Sequence, residues 1–169
     1  GNDTLVDGSG VNVLNGGAGD DVIDISAAGS ATAATMTIEG GDGTDTLKVA
    51  SDMAWTGLTV SGVEVLDGGR TSLTPNQILA KGFTTVQNTT LRLDPNLATG
   101  GTLDASGLSG NLNLRGTNQS DTLVGNAGNN TIYLNSDEKT GPGYGVDHVQ
   151  AGAGDDTITL LENIYFPSW

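Results

Sequence analysis

Six aspartates and one asparagine carry most of the chemistry open to this chain. Asp3, Asp21, Asp45, Asp121, Asn130, Asp147 and Asp156 each stand two residues before a large aliphatic: Leu5, Ile23, Leu47, Leu123, Ile132, Val149 and Ile158. Asp3 and Asp21 are 18 residues apart, and Asp121 and Asn130 nine. Carboxylate and amide oxygens repeated at a fixed period, among glycine carbonyls, suit a hard cation. Ca2+ takes six to eight such oxygens and is the expected ligand. These seven residues are the candidate metal ligands, with Asp21 shared between the turns of Asp3 and Asp45. Asn130 would give an oxygen without a charge, so its site should be weaker. Asp20 and Asp155 sit one residue earlier and should face water.

Other chemistries lack their residues. No cysteine is present, so disulfides, thiolates and cysteine metal sites are excluded. His148 is the only histidine, which excludes a multi-histidine zinc site and leaves no catalytic triad to assign. The acidic side chains are already accounted for by the repeat, so no catalytic pair is assigned among them. No enzymatic activity is expected.

The elements that position the aspartates follow from the spacing. Gly16–Asp24, Gly40–Lys48, Gly125–Tyr133 and Ala151–Thr159 share the frame G-G-x-G-x-D-x-U-x, with U a large aliphatic. Partial copies lie at Gly1–Val6, Asp7–Asn15, Gly116–Val124 and Gly145–Gln150. The glycine half makes a tight turn, because glycine accepts positive φ and close backbone approach. The x-U-x half makes a very short strand whose U side chain points inward. Two nonapeptides complete one turn of a parallel β-roll. Asp3, Asp21 and Asp45 should then stack on one side, once residues 25–30 bulge out. On the other side Asn12 and Met36 make a poor site. In the second block, looping out residues within 134–143 stacks Asp147 on Asp121 and Asp156 on Asn130.

Three segments are expected. Residues 1–48 form an N-terminal calcium-binding block. Residues 49–115 continue as wider, metal-poor rungs, with short strands at Leu58–Val60, Val63–Leu66, Thr90–Leu93 and Asn111–Leu114. A short external helix near 75–81 begins at the N-cap Thr74, with Pro75 in its first position, and stops at Gly82. Residues 116–169 form a C-terminal calcium-binding block whose Tyr165, Phe166 and Trp169 would cap the last rung. The opening Gly1 falls in mid-repeat, as in a fragment of a longer chain.

The net charge is -14, from 20 acidic and 6 basic residues. That sign disfavours nucleic acid and anionic membrane surfaces, which attract basic patches. No apolar run is long enough to span a membrane, so no membrane insertion is expected.

On its nonapeptides the chain resembles the repeats-in-toxin (RTX) family of type I-secreted bacterial proteins. Its middle is similar to Gram-negative surface-layer (S-layer) proteins and related adhesins, on the phrases Gly62–Asp67 and Thr102–Leu112. The resemblance implies an all-β fold, a right-handed parallel β-roll or β-solenoid with calcium-binding nonapeptide turns. It also implies export unfolded at low cytosolic calcium and folding outside, in a secreted, extracellular or cell-surface setting. The function it implies is a non-catalytic calcium-binding structural module, with calcium-driven folding and self-association. The alternatives are the C-terminal calcium-binding and secretion module of a secreted metalloprotease or polysaccharide-modifying enzyme, or a module that binds cell-surface polysaccharide or lipopolysaccharide.

Overall fold

A computed structural model describes residues 1–7, 10, 12–27, 36–52, 55, 57–71, 73–94, 96–135 and 145–160. The expected apolar cap at 161–169, most of the 134–143 loop and the latter part of the 25–30 bulge lie outside these residues. The described chain is all-β apart from one short helix, and every strand pairing is parallel. It is a β-solenoid of nonapeptide-like rungs.

In the first rungs two columns of strands alternate. One holds β1 (Thr4–Val6), β3 (Val22–Asp24) and β5 (Thr46–Lys48), and the other β2 (Val13–Ala18), β4 (Thr37–Asp42) and β6 (Thr59–Ser61). Val22 pairs with both Thr4 and Thr46, so the extra residues between β3 and β4 leave the stack in register. The first column continues through β7 (Val65–Asp67) and β9 (Thr85–Gln87). A new column starts at β8 (Arg70–Thr71) and runs through β10 (Thr90–Arg92), β12 (Asn113–Arg115), β14 (Thr131–Tyr133) and β16 (Thr157–Thr159). The fourth holds β11 (Thr102–Asp104), β13 (Thr122–Val124) and β15 (His148–Gln150). Each strand is paired with the next turn, because an isolated three-residue strand cannot satisfy its own backbone.

Strands β8, β9 and β11 have no counterpart in the sequence reading. Each offers at most one aliphatic. The helix α1 (Pro75–Ala80) opens on Thr74, whose hydroxyl accepts from the Gln77 N–H while the Gln77 side chain accepts from the Thr74 N–H. Its Ile78 is fully buried in the same core as Phe83, on which Trp55 packs edge-on at 6.2 Å. Among the described residues no helix is long and apolar enough to cross a membrane.

The core is a thin file of inward aliphatics. Ile23, Ile38, Leu47, Leu66, Val86, Leu91, Leu103, Leu114, Leu123 and Ile132 are all buried. The same inward position is half-covered at Leu5 and Leu14 and 53% exposed at Ile158, on the outermost rungs. Stacking is therefore the source of burial, as quasi-one-dimensional folds require.

Two equivalent turns leave the strands. Asp24 accepts from the hydroxyl and N–H of Ser26, and Asp104 from those of Ser106. The serine hydroxyl first, then the N–H, hold both carboxyls below their ordinary range. A depressed folded pKa makes the associated stability present above the unfolded value and lost as pH falls through the folded one. Ser106→Ala should raise the Asp104 titration midpoint and leave that of Asp24 in place, as followed by NMR. An unmoved Asp104 midpoint would show that the hydroxyl does not set it.

Candidate metal centre

The frame aspartates are tied to one another by a ladder of side-chain to backbone hydrogen bonds. The Asp3 N–H donates to Asp21 Oδ1 at 2.6 Å, the Asp21 N–H to Asp45 Oδ1 at 2.8 Å, and the Asp45 N–H to Glu64 Oε2 at 3.0 Å. The second block repeats the pattern. Gly101 N–H donates to Asp121 Oδ1, Asp121 N–H to Asp147 Oδ1, Leu112 N–H to Asn130 Oδ1 and Asn130 N–H to Asp156 Oδ1, at 2.8–3.3 Å. In every case the side chain reaches back one turn. The short strand that follows each aspartate fixes its backbone, and the parallel pairing sets the next turn within reach.

A second ladder runs outside the first, in the opposite sense. Asp20 N–H donates to Asn2 Oδ1 and Thr44 N–H to Asp20 Oδ1. Asn129 N–H donates to Asn111 Oδ1 and Asp155 N–H to Asn129 Oδ1. Asp20 and Asp155 are exposed, but the Asp20 carboxylate is engaged with the next turn and is not merely solvated.

The inner ladder uses one oxygen of each carboxylate. What happens to the other oxygen separates the turns. Asp21 is 1% exposed and Asp45 fully buried, and Oδ2 of each accepts no hydrogen bond among the described residues. A Cβ placed on Gly16 would collide with Asp21 Oδ2 and stand 2.7 Å from the Gly40 carbonyl oxygen. A Cβ placed on Gly40 would overlap the Gly62 carbonyl oxygen and stand 2.5 Å from Asp45 Oδ2. Buried carboxylate oxygens without a donor among the described residues thus face backbone carbonyl oxygens. An uncompensated buried carboxylate is strongly unfavourable, and a cation relieves it. The donor set, carboxylate plus backbone carbonyls, is that of a hard divalent ion. These residues fit Ca2+. Among the described residues no three Asp, Glu or His side chains converge into a metal-holding group, so backbone carbonyls must supply the remaining ligands.

The remaining expected ligands are placed as follows. Asp3 lies exposed on the first rung, with its backbone under Asp21. Asp147 and Asp156 are half-buried on the last rungs, and each gives Oδ1 to the turn before. Burial pushes the Asp147 carboxyl up, more than the Asp121 N–H lowers it, and the Asp121 charge adds to the rise. Asp121 is buried, but its Oδ2 accepts from the N–H and, at 2.9 Å, the hydroxyl of Thr117. Asn130 is 1% exposed and turns its NH2, not its oxygen, toward the surrounding carbonyls. On the opposite side of the first block the aspartate position is held by buried Met36 and Leu58, which offer no ligand.

Two acidic residues were not singled out in the sequence. Glu64 stands two before Leu66, as Asp45 stands two before Leu47, and it terminates the inner ladder. That spacing was the available signal. Asp7 is buried, accepts from Asn12 Nδ2 at 2.6 Å, and its Oδ2 has no partner among the described residues.

A family model described as the RTX calcium-binding nonapeptide repeat matches the chain over residues 1–25, 37–49, 106–138 and 143–160, together more than half its length. Comparison with curated proteins and with solved structures returns no match.

Proposed function

The chain belongs to the family of RTX calcium-binding nonapeptide repeats, and on that premise we propose that it is a non-catalytic structural module of a secreted bacterial cell-surface protein, of the surface-layer or adhesin kind. It binds Ca2+ through those repeats. Repeats of this family occur generally in secreted and cell-surface proteins. The observation that carries the reading is the pair of buried oxygens, Asp21 Oδ2 and Asp45 Oδ2, without a hydrogen-bond partner among the described residues, against the glycine carbonyls of the following turn. Asp21 and Asp45 are the primary ligands, with the carbonyls of Gly40 and Gly62. Asp3, Asp147 and Asp156 serve the outer rungs. Bound Ca2+ supplies the charge that lets carboxylates stack. Because this interaction exists only in the folded chain, it adds to folding free energy. At low calcium the -14 chain is held open by its own repulsion, which suits export before folding.

Calorimetric calcium stoichiometry tests the assignment. Asp21→Ala should bind fewer ions than the parent, because Asp21 faces the cradle. Asp20→Ala should bind the same number and lose only about 0.5–1.5 kcal/mol of stability, the bond to Thr44. Equal stoichiometry in both variants would remove Asp21 as a ligand.

The surface-assembly part rests on the end rungs. Inward aliphatics that are fully buried at Ile23 and Ile132 are only half-covered at Leu5 and 53% exposed at Ile158. A further rung or a second copy would cover them, and β1 and β16, edge strands among the described residues, offer backbone partners. Sedimentation velocity across a calcium series should show mass rising with calcium. A monomer at every calcium and protein concentration would remove the assembly claim.

A further inference from the structure

The four turns with a described cradle can be compared at one point. Gly16, Gly40, Gly116 and Gly125 each stand five residues before their frame residue, Asp21, Asp45, Asp121 and Asn130. At each, a Cβ would meet both the frame side chain and a carbonyl oxygen from the following turn. At Gly16 and Gly40 the frame atom is a carboxylate oxygen that accepts no hydrogen bond among the described residues, and it faces a carbonyl oxygen. At Gly125 the frame atom is a donor: Asn130 Nδ2 bonds the Ala151 carbonyl at 3.0 Å. The same nitrogen meets the carbonyls of Gly128 at 2.8 Å and Asn126 at 3.3 Å, and Asp156 Oδ1 at 3.0 Å. The orientation is forced. Asn130 Oδ1 accepts from the Leu112 N–H, so a flipped amide would face oxygen with oxygen and N–H with N–H. At Gly116 the frame residue is an aspartate, but Thr117 occupies the second frame position, where the first block has Gly17 and Gly41. The Thr117 N–H and hydroxyl both donate to Asp121 Oδ2.

We infer that the turns of Asp121 and Asn130 are metal-independent: protein donors, the Asn130 NH2 and the Thr117 N–H and O–H, stand where the turns of Asp21 and Asp45 require a cation. This rests on the calcium reading of the first block and assigns the two halves different roles. The rungs β12 to β14 stay folded without calcium. The rungs β1 to β5, which continue through β6 and β7, order as calcium rises. An amide with two hydrogens meets four acceptors at hydrogen-bonding distance with no net charge to desolvate, which a buried polar group needs if it is to be tolerated.

Hydrogen exchange of the parent chain, in chelator and in millimolar CaCl2, tests this. In chelator the amides of Val22–Asp24 and Thr46–Lys48 should lose protection, while those of Thr122–Val124 and Thr131–Tyr133 keep it. Loss in both sets would overturn the inference and leave the calcium reading standing. Retention in both, with no calcium bound by calorimetry, would overturn the two together. A variant gives a gain-of-site arm. Asn130→Asp removes the donor and restores the acceptor cluster of the first block. It should bind one more Ca2+ than the parent and melt about 10 °C lower in chelator, with calcium restoring the difference. An Asn130→Asp chain with unchanged stoichiometry and calcium-independent melting would refute the substitution of amide for ion. If that variant does not fold, the exchange pattern of the parent decides alone.

Discussion

Chelating calcium lowers the melting temperature of the chain by about 10–20 °C. Two carboxylate oxygens, Asp21 Oδ2 and Asp45 Oδ2, are buried against carbonyl oxygens and accept no hydrogen bond among the described residues. If each marks one ion at a concentration about 100 times its dissociation constant, each contributes about 2.7 kcal/mol. Two such ions contribute about 5 kcal/mol, and in a chain of this size about 2–4 °C accompanies each kcal/mol. Without the ions the loss exceeds this mass-action term wherever the carboxylates cannot move apart, since their Oδ1 atoms remain bonded to neighbouring turns. Differential scanning calorimetry in chelator and in millimolar calcium gives the comparison. Superimposable transitions would show that the buried oxygens find protons or water instead of an ion.

The path from that effect to the sequence is short for the first block and longer elsewhere. The aspartate-x-aliphatic spacing reports two things at once: which side chain turns inward, and which carboxylate precedes it by two positions. From that spacing alone the parallel stack of Asp3, Asp21 and Asp45 follows, and the pairing of Val22 with Thr4 and Thr46 bears it out. The stacking of Asp147 on Asp121 and of Asp156 on Asn130 was legible for the same reason. What the spacing does not report is the second oxygen. Asp45 and Asp121 occupy the same frame position and make the same Oδ1 bond, yet Thr117 satisfies the Oδ2 of Asp121 and no described residue that of Asp45. That difference lives in the second frame position, Gly41 against Thr117, which a reading by aspartates passes over. Asn130 is similar. Its letter suggests a weak oxygen ligand, whereas the Leu112 N–H across the turn fixes the oxygen and presents the nitrogen. The outer ladder was missed because an exposed aspartate such as Asp20 looks solvated until the adjacent Thr44 N–H is seen to need an acceptor. The middle strands β8, β9 and β11 were hidden by length: two or three residues with one inward side chain carry too little periodicity to be seen.

Gly40→Ala costs the fold about 4 kcal/mol or more, whereas Gly17→Ala, in the repeat one turn earlier, costs about 1–3 kcal/mol. The two glycines fail for different reasons. Gly17 has φ +98°, which disfavours any side chain, but its Cβ would meet nothing within 4 Å. Its cost is backbone strain alone. Gly40 has no positive φ, but its Cβ would overlap the Gly62 carbonyl oxygen and press on Asp45 Oδ2 and Cβ, at 2.5 and 2.8 Å. The carbonyl is backbone, held in the next turn by the bond from the Gly41 N–H at 3.2 Å, so it cannot step aside as a long side chain would. Relief requires separating β4 from β6, which uncovers the Ile38 and Val60 file. A loss of that size is a large share of the 5–15 kcal/mol that holds a typical domain. It also abolishes the cradle itself, so Gly40→Ala should lose calcium together with stability, and added calcium should not rescue it. Urea unfolding of both variants at saturating calcium decides the matter. Midpoints that differ from the parent by the same amount would place the Gly62 carbonyl away from Gly40 and remove the close approach on which the cation cradle depends.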